Sequence, residues 1–262
     1  LAGMNKVRPK KFLGQHFLND LSVAERIAGA LSGEGYEKVL EIGPGMGVLT
    51  QYLLQNKQFE TWVVEIDTES VTYLHEHFPD LSERILGEDF LKMDLSPLGT
   101  FALAGNFPYN ISSQIMFRML DHRQQIPEMA GMFQKEVAER FAAKPGSKAY
   151  GILSVLIQAF YSCEYLFTVP EHVFTPPPKV KSGVVHLKRL PEPEGLKDPS
   201  LFKSVVKTAF NQRRKTMRNS LRSFGIPDET PGWTEFAKLR PEQLSVQEFF
   251  TLTDLIAQYQ KK

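Results

Sequence analysis

Short apolar runs alternate with amphipathic stretches over the larger, amino-terminal part of the chain. The runs are almost continuously apolar, which is typical of strands buried in a parallel sheet, and they lie at residues 38–42, 61–66, 84–86, 100–105 and 129–133. The stretches between them favour helices, at residues 20–31, 48–56, 68–77 and 111–120. Strands that alternate with helices in this way predict an α/β fold with a doubly wound sheet.

The carboxyl-terminal part of the chain has a helical pattern throughout. Residues 191–195 (PEPEG) are typical of a linker. From Pro199 onward, apolar residues such as Phe202, Val205 and Phe210 fall on one helical face. We therefore predict a basic amino-terminal arm at residues 1–19, an α/β domain at 20–192 and a small helical domain at 193–262.

A glycine-rich turn follows the first predicted strand. Its sequence is GPGMG, from Gly43 to Gly47. A strand, a glycine-rich turn and a helix form the nucleotide-binding opening of a doubly wound sheet, and Gly43 and Gly45 let a ligand approach the backbone closely. The spacing G-x-G-x-G differs from the dinucleotide pattern G-x-G-x-x-G, which argues against a nicotinamide-dependent dehydrogenase.

Carboxylates follow the second and third predicted strands. Glu65 lies about twenty residues after the glycines, where an acid typically accepts hydrogen bonds from ribose hydroxyls. Asp89 follows the third strand and is placed to bind an adenine amino group. Taken singly, each acid is explained more simply as a solvated carboxylate in a loop. Two acids after successive strands, behind a glycine-rich turn, favour a bound nucleotide-like ligand.

The fourth predicted strand leads into Asn106-Phe107-Pro108-Tyr109. Pro108 removes one backbone donor, so the turn presents carbonyl oxygens, and Asn106 adds a side-chain carbonyl. These acceptors can bind both hydrogens of an exocyclic amino group, while Tyr109 offers a flat face for a nucleobase. Taken alone, the four residues are explained more simply as an ordinary strand-to-helix turn.

A proline-rich loop at residues 173–180 (VFTPPPKV) lies between two late predicted strands, 161–169 and 183–190. Three prolines stiffen this loop, so it can present the ring of Phe174 opposite Tyr109. Alternatively, Phe174 is a hydrophobic plug beneath the loop. The pattern favours neither role.

Composition excludes several classes of protein. The single cysteine, Cys163, excludes an internal disulfide framework and fits a reducing, cytoplasmic compartment. The six histidines show no metal-ligand spacing, so we expect no metal site. The sequence has no apolar run long enough for a membrane span, and we expect no membrane partner.

The formal net charge is only +1, but the basic residues are clustered. Residues 1–19 and 201–225 contain Lys and Arg without any acid. Such clusters indicate a polyanionic partner, although solvated basic faces are also common. The candidate RNA-binding residues are Lys10, Lys11, Arg213, Arg214, Lys215, Arg218 and Arg222.

Five motifs together resemble the S-adenosylmethionine-dependent ribosomal RNA adenine N6-dimethyltransferases. They are GQHFL at 14–18, EIGPGMG at 41–47, NFPY at 106–109, FTPPPKV at 174–180 and NQRRKTMRN at 211–219. The resemblance covers nearly the whole chain, from about Arg8 to the end. The glycine motif occurs in many methyltransferases and NFPY points to amino-group methylation, whereas the last two motifs are specific to the small-subunit branch of the family.

The resemblance implies a Rossmann-like class I methyltransferase domain with a small carboxyl-terminal helical domain, and S-adenosyl-L-methionine as the cofactor. Asn106 would contact both cofactor and target. The family usually has Asn at the position of His16, and Leu or Ile at that of Phe107. The implied cofactor-binding residues are His16, Leu18, Gly43, Gly45, Glu65, Asp89 and Asn106.

The reaction implied by the resemblance is in-line transfer of the sulfonium methyl group to N6 of an adenosine. Asn106 and Pro108 would bind the amino group, and Tyr109 and Phe174 would receive a base that has left its stack. The implied substrate is small-subunit (16S) rRNA in the pre-ribosomal 30S particle, with two adjacent adenosines near its 3′ end each dimethylated. We expect a monomer with a role in small-subunit biogenesis and no DNA partner.

Two other functions stay open at this stage. A large-subunit rRNA adenine methyltransferase of the antibiotic-resistance type would share the glycine and NFPY motifs, but the motif at 211–219 argues against it. A non-catalytic RNA-binding assembly factor would not need Asn106 or the glycines, and both are intact. A dual role as enzyme and assembly checkpoint is compatible with the basic helical domain.

Overall fold

The computed structural model describes residues 6–260, and contacts divide the chain into two compact units. Among the described residues, the first contains 6–138 together with 163–189, and the second contains 139–162 and 190–260. Segment 139–162 thus groups with the carboxyl-terminal helices, whereas the sequence analysis placed it in the α/β domain. The first five residues of the predicted arm lie outside the described residues, and the rest of the arm belongs to the first unit.

The first unit is organised by a seven-stranded sheet and a small two-stranded sheet. The strands are β1 Phe17–Leu18, β2 Lys38–Ile42, β3 Glu60–Val64, β4 Ile85–Leu86, β5 Phe101–Asn106, β6 Glu128–Gln134, β7 Tyr161–Val169, β8 Phe174–Thr175 and β9 Ser182–Arg189. The large sheet has the order β4-β3-β2-β5-β6-β9-β7, and β1 pairs with β8 in the small one. Strands β4 to β6 are parallel neighbours, and β9 runs antiparallel to β6.

The parallel part of the sheet explains why the polar residues of the sequence motifs meet. In the register, Leu40 lies opposite both Trp62 and Leu103, so β2, β3 and β5 end at the same edge. Leu40 and Leu103 are fully buried, as their continuously apolar strands predicted. The sheet therefore brings the residues that follow these strands to one edge, where ligands bind in open α/β sheets.

The helices of the first unit follow the predicted positions. Asp20 caps the first helix, because its side chain accepts hydrogen bonds from the backbone N–H groups of Ser22 and Val23. The apolar faces of the helices cover the sheet, and Ile27 and Ile115 are fully buried. The helices are α1 Leu21–Ala30, α2 Thr50–Gln55, α3 Thr68–His77 and α4 Ser112–Asp121, followed by α5 Lys135–Phe141, which ends in the second unit.

The second unit is helical, as predicted for the end of the chain. Its longer helices pack through aromatic side chains, and the Phe202 ring lies 5.1 Å from that of Phe250 and 6.2 Å from that of Phe160. Asp198 caps α7 through a hydrogen bond from the Leu201 N–H. The helices that lie wholly in this unit are α6 Ile152–Phe160, α7 Pro199–Asn211, α8 Met217–Ser220, α9 Trp233–Ala237 and α10 Val246–Gln260. Across residues 6–260, no helix has the length and apolar character needed to cross a bilayer.

Candidate active site

The glycine-rich turn follows β2 along a path that glycine adopts easily. Gly43 and Gly45 have φ angles of 67° and 55°, in the left-handed region. A Cβ atom on Gly45 would lie 2.9 Å from the ring of Phe17, so a side chain is also excluded by space. The turn lines a cavity that we call the turn cavity, whose walls include Gly43, Gly45, Glu65, Asp89 and Asn106. All its lining residues belong to the first unit.

Glu65 joins the end of β3 to the glycine-rich turn. Its Oε2 accepts a hydrogen bond from the N–H of Gly45 at 3.1 Å, and its Oε1 accepts one from the N–H of Asp67 at 3.1 Å. Glu65 is only 4% exposed, and burial raises the pKa of its carboxyl group although the two N–H bonds act in the opposite direction. The side chain is thus fixed in the cavity wall, with Oε2 at the glycine-rich turn.

Asp89 lies in another wall of the turn cavity. Its Oδ1 accepts a hydrogen bond from the N–H of Leu91 at 2.9 Å, which fixes the orientation of the carboxylate. The sequence analysis did not predict the apolar surface nearby. Ile66 is 53% exposed and lines the same cavity as Leu91. The sequence signal that could have indicated this surface is an apolar residue, Ile66, directly after the acid Glu65 at the end of a predicted strand.

Asn106 is the last residue of β5, and its amide group is oriented by the amino-terminal arm. Nδ2 donates a hydrogen bond to the main-chain oxygen of His16 at 2.9 Å. Because that oxygen can only accept, the amide nitrogen must face His16, and Oδ1 is left as the acceptor of a side chain that lines the turn cavity. The Pro108 carbonyl receives a 3.3 Å bond from the Ile111 N–H and has a second lone pair.

Phe107 anchors the NFPY turn from below. Its ring is 1% exposed and stacks on Phe133 at a centroid distance of 4.8 Å. A Cβ atom on Gly131 would lie 2.1 Å from the Phe107 ring. Gly131, which has no side chain, therefore provides the space that the phenyl group of Phe107 needs.

Tyr109 lies between the turn cavity and a second cavity. Its hydroxyl forms a hydrogen bond with Ser182 Oγ, and burial raises its pKa. The second cavity, which we call the proline cavity, has a volume of about 700 Å³, within the usual range for ligand sites. Its lining includes His16, Tyr109, Gln134, Lys179 and the three prolines 176–178. Tyr109 and His16 line both cavities.

The arm is held over the turn cavity by polar contacts. Gln15 Nε2 donates to Asp67 Oδ2 at 3.2 Å, and Asn110 Nδ2 donates to the Phe12 carbonyl at 3.2 Å. Lys10 Nζ lies 3.0 Å from Asp67 Oδ2 and 2.5 Å from a Glu69 carboxylate oxygen. The Lys10 ammonium group therefore already pairs with two carboxylates of its own chain. This pairing is at odds with its predicted role in binding phosphates. Lys11 is exposed and lines the proline cavity.

Leu18 and Phe174 lie away from both cavities, contrary to their predicted contacts. They are opposite one another in the pairing of β1 with β8 and are 5% and 2% exposed. Both belong to the hydrophobic core that contains Val23 and Ile27. Since pairing with β1 directs the Phe174 ring inward, the hydrophobic-plug alternative describes its position in this structure. A buried ring has no free face for a base.

Arg213 has a structural role in the second unit. Its guanidinium donates hydrogen bonds to the main-chain oxygens of Tyr150 at 2.5 Å, Lys148 at 3.1 Å and Ser147 at 3.2 Å. These three contacts hold the loop that precedes α6. They use three of the five guanidinium N–H donors within the fold, which is at odds with a role of Arg213 chiefly in binding RNA.

The other predicted RNA-binding residues of the second unit differ in their availability. Arg218 forms an ion pair with Asp228 on the surface. Arg222 donates to the side-chain oxygen of Asn219 at 3.1 Å and lines a polar surface depression with Lys215. Arg214 and Lys215 are exposed, and neither side chain has an ion-pair partner within residues 6–260. Arg214, Lys215 and Arg222 are thus the cations that remain available to a polyanion.

Neither cavity contains a nucleophilic side chain activated for covalent catalysis. Cys163 lines neither cavity, and burial raises the pKa of its thiol to about 12. In the described part of the chain, no three His, Cys, Asp or Glu side chains are grouped as metal ligands. The site consists instead of backbone, carboxylates, one amide and aromatic faces, which suit binding and orientation.

Sequence comparisons match nearly the whole chain. A family model described as ribosomal RNA adenine dimethylase matches residues 6–258. The ribosomal RNA small subunit methyltransferase A of Cytophaga hutchinsonii is 59% identical over 257 residues, which cover 97% of this chain and 99% of that protein. The protein of the same name from Flavobacterium johnsoniae is 59% identical over 256 residues, with 97% coverage of both chains.

Solved structures confirm the predicted fold. A dimethyladenosine transferase from Plasmodium falciparum superposes with a TM-score of 0.76 at 23% identity, covering 94% of this chain and 98% of that one. The 23S rRNA methyltransferase ErmE superposes with a TM-score of 0.65 at 27% identity, covering 91% and 99%. The first unit therefore has the class I S-adenosylmethionine-dependent methyltransferase fold.

Proposed function

The chain belongs to the ribosomal RNA adenine dimethylase family, and we propose that it dimethylates N6 of two adjacent adenosines near the 3′ end of small-subunit rRNA, within the 30S particle. It is an S-adenosyl-L-methionine-dependent rRNA adenine dimethyltransferase. The observation that carries the site assignment is the orientation of Asn106, whose side-chain oxygen is left as an acceptor, in a cavity that Pro108 also lines.

The turn cavity fits the cofactor. Gly43 and Gly45 leave the backbone open to the methionine part, and Glu65 presents a fixed carboxylate to the ribose hydroxyls. Asp89 would accept a hydrogen bond from the adenine amino group, and the exposed side chain of Ile66, in the same cavity, would offer an apolar surface to the adenine ring. When bound, S-adenosyl-L-methionine supplies a methyl group on a positively charged sulfur.

The protein assists methyl transfer by orienting a weak nucleophile. The lone pair of an exocyclic amine is delocalised into its ring, and acceptors on both N–H bonds favour a tetrahedral nitrogen whose lone pair points at the methyl group. Asn106 Oδ1 and the Pro108 carbonyl are these acceptors. Their positions are fixed beforehand by His16 and by the packing of Phe107, so the rate gain comes from orientation and oriented dipoles.

The target adenosine enters through the proline cavity, because Tyr109 lines both this cavity and the turn cavity. The base leaves its RNA stack and packs on the Tyr109 ring, a contact that contributes about 1–3 kcal/mol by analogy with single-strand binders. Lys11 and Lys179 line the proline cavity, and both are exposed, so they can contact RNA phosphates there. Arg214, Lys215 and Arg222 add contacts to the RNA backbone, which position the RNA without reading its sequence.

The setting proposed for this reaction is the bacterial cytoplasm, where small subunits assemble. The catalytic residues proposed here, Asn106, Pro108 and Tyr109, and the cofactor residues Gly43, Gly45, Glu65 and Asp89 all belong to one unit of one chain. The proposal therefore needs no second copy, membrane or DNA. A role in small-subunit biogenesis would follow from binding an immature particle.

Transfer of labelled methyl groups tests the proposal. Unmethylated small subunits, large subunits and naked rRNA are incubated in parallel with the enzyme and labelled S-adenosyl-L-methionine, and nucleosides are then analysed. We expect label in N6,N6-dimethyladenosine from small subunits only. Label in large-subunit RNA would favour the antibiotic-resistance type of enzyme. Tight particle binding without any label would favour a non-catalytic assembly factor.

A further inference from the structure

One face of the Tyr109 ring is already covered by His16. The two ring centroids are 5.2 Å apart and the ring planes differ by 28°, the geometry of a single stacked contact. The hydrogen bond to Ser182 fixes the Tyr109 ring, and the Nδ1 of His16 lies 2.8 Å from the Pro176 carbonyl oxygen. Because one stacking contact fills the gap, no base fits between the rings.

The His16 side chain and main chain have separate roles. The main-chain oxygen accepts the hydrogen bond that orients Asn106, and a change of side chain leaves that oxygen in place. The imidazole instead contacts Tyr109 and Pro176, both in the wall of the proline cavity. Since the Pro176 carbonyl can only accept, Nδ1 must be the protonated nitrogen.

We infer that the His16 imidazole is a placeholder, which covers the stacking face of Tyr109 until the target adenine enters and displaces it. The inference rests on the proposed function, because it assumes that Tyr109 receives the base. Displacement replaces the stack of His16 on Tyr109 by a stack of adenine on Tyr109, and it breaks the hydrogen bond from His16 to the Pro176 carbonyl. The contact between His16 and Tyr109 therefore opposes base entry, and His16 is a positioning residue that sets the RNA concentration needed for half-maximal rate.

Two variants of His16 separate stacking from other effects. His16→Asn keeps a side-chain donor without an aromatic ring, and His16→Phe keeps a ring without a donor. We expect His16→Asn to lower the KM for small subunits by about 2- to 10-fold, the range of one aromatic pair. His16→Phe should retain a KM at or above that of the wild type.

Three results would overturn the inference. A higher KM in His16→Asn would make the imidazole a wall of the base site. Equal effects of the two variants would show that the ring is irrelevant. The affinity for S-adenosyl-L-methionine is measured separately by calorimetry. If it changes in parallel with the KM for small subunits, His16 acts by binding the cofactor.

A binding experiment tests the same inference without methyl transfer. Adenosine is titrated into protein saturated with S-adenosylhomocysteine, so that the turn cavity is blocked, and the ring signals of ¹³C-labelled Tyr109 are followed by NMR. Assignment uses Tyr109→Phe. Adenosine should shift these signals at lower concentration in His16→Asn than in wild type or His16→Phe. Identical titrations would refute the placeholder, whereas failure of the methylation assay alone would refute the proposed rRNA substrate.

Discussion

The Asn106 amide donates a hydrogen bond to the main-chain oxygen of His16 at 2.9 Å, and this bond determines which way the amide faces. It links the end of β5 to an arm ninety residues earlier in the chain. The arm is in turn held by Gln15 and Lys10, which contact Asp67. The arm that is held by these contacts thus also orients the amide of Asn106, the acceptor proposed for the target amine.

Asn106→Ala should lower kcat by about 10²- to 10³-fold, the usual effect of removing one pre-oriented polar group that acts in the transition state. Affinity for S-adenosyl-L-methionine should change much less, because Glu65 and the glycine-rich turn are untouched. Single-turnover methylation and calorimetry measure the two quantities. Asn56→Ala is the control, since Asn56 only accepts a bond from the Gln58 N–H in an exposed turn. Normal turnover of Asn106→Ala would exclude this mechanism.

Phe174→Ala should destabilise the protein by about 3–5 kcal/mol, because it opens a cavity in the core. Phe174→Leu keeps most of the volume and should lose less than about 1.5 kcal/mol. Denaturant unfolding measures both, with Phe12→Ala as the control because Phe12 is 78% exposed. If Phe174→Leu were fully stable but inactive, the ring would be needed for the base after all, and the loop would have to open during catalysis.

The sequence predicted the main elements of the fold because those elements depend on local patterns. Strands β2, β3 and β5 are mostly apolar, and parallel pairing then brings the residues that follow them, such as Gly45, Glu65 and Asn106, to one edge of the sheet. The positions of Phe174 and Arg213 could not be predicted in the same way. Phe174 is turned inward by pairing with β1, a contact between segments more than 150 residues apart. Arg213 is held by carbonyl groups of a loop more than 60 residues earlier. A charge pattern shows which residues are basic, but the pattern does not show which of them are already bound within the fold.

Arg213→Ala and Arg214→Ala form a matched pair of neighbouring arginines with different surroundings. Arg213→Ala should lower stability by about 1.5–3 kcal/mol, because its charged hydrogen bonds to three carbonyls are lost. Arg214→Ala should leave stability within about 0.5 kcal/mol of the wild type and weaken binding to small subunits. The slope of log affinity against log salt should fall by about 1. If Arg213→Ala instead weakened binding without loss of stability, and Arg214→Ala lowered stability, Arg213 would belong to the RNA-binding surface.

Glu128 should make the protein sensitive to acid. It is 2% exposed at the start of β6, and one of its carboxylate oxygens accepts bonds from the Ser32 N–H and hydroxyl at 2.9 Å and from the Tyr36 hydroxyl at 2.6 Å. The other oxygen lies 2.6 Å from His186 Nε2. Burial raises the pKa of Glu128, but the hydrogen bonds from His186, Tyr36 and Ser32 outweigh burial and lower it to about 2.

An acid whose pKa is lower in the folded than in the unfolded state stabilises the fold above its unfolded pKa and loses that contribution as the pH falls. The stabilisation by Glu128 should therefore be complete above about pH 4.5 and decline between that pH and about pH 2. Glu128→Gln should be less stable than the wild type at pH 7 and should show a shallower loss of stability over this acid range. Urea unfolding at a series of pH values measures the slopes, with Glu76→Gln on the exposed surface of α3 as the control. Parallel slopes for wild type and Glu128→Gln would show that the bonds to Glu128 do not govern acid stability.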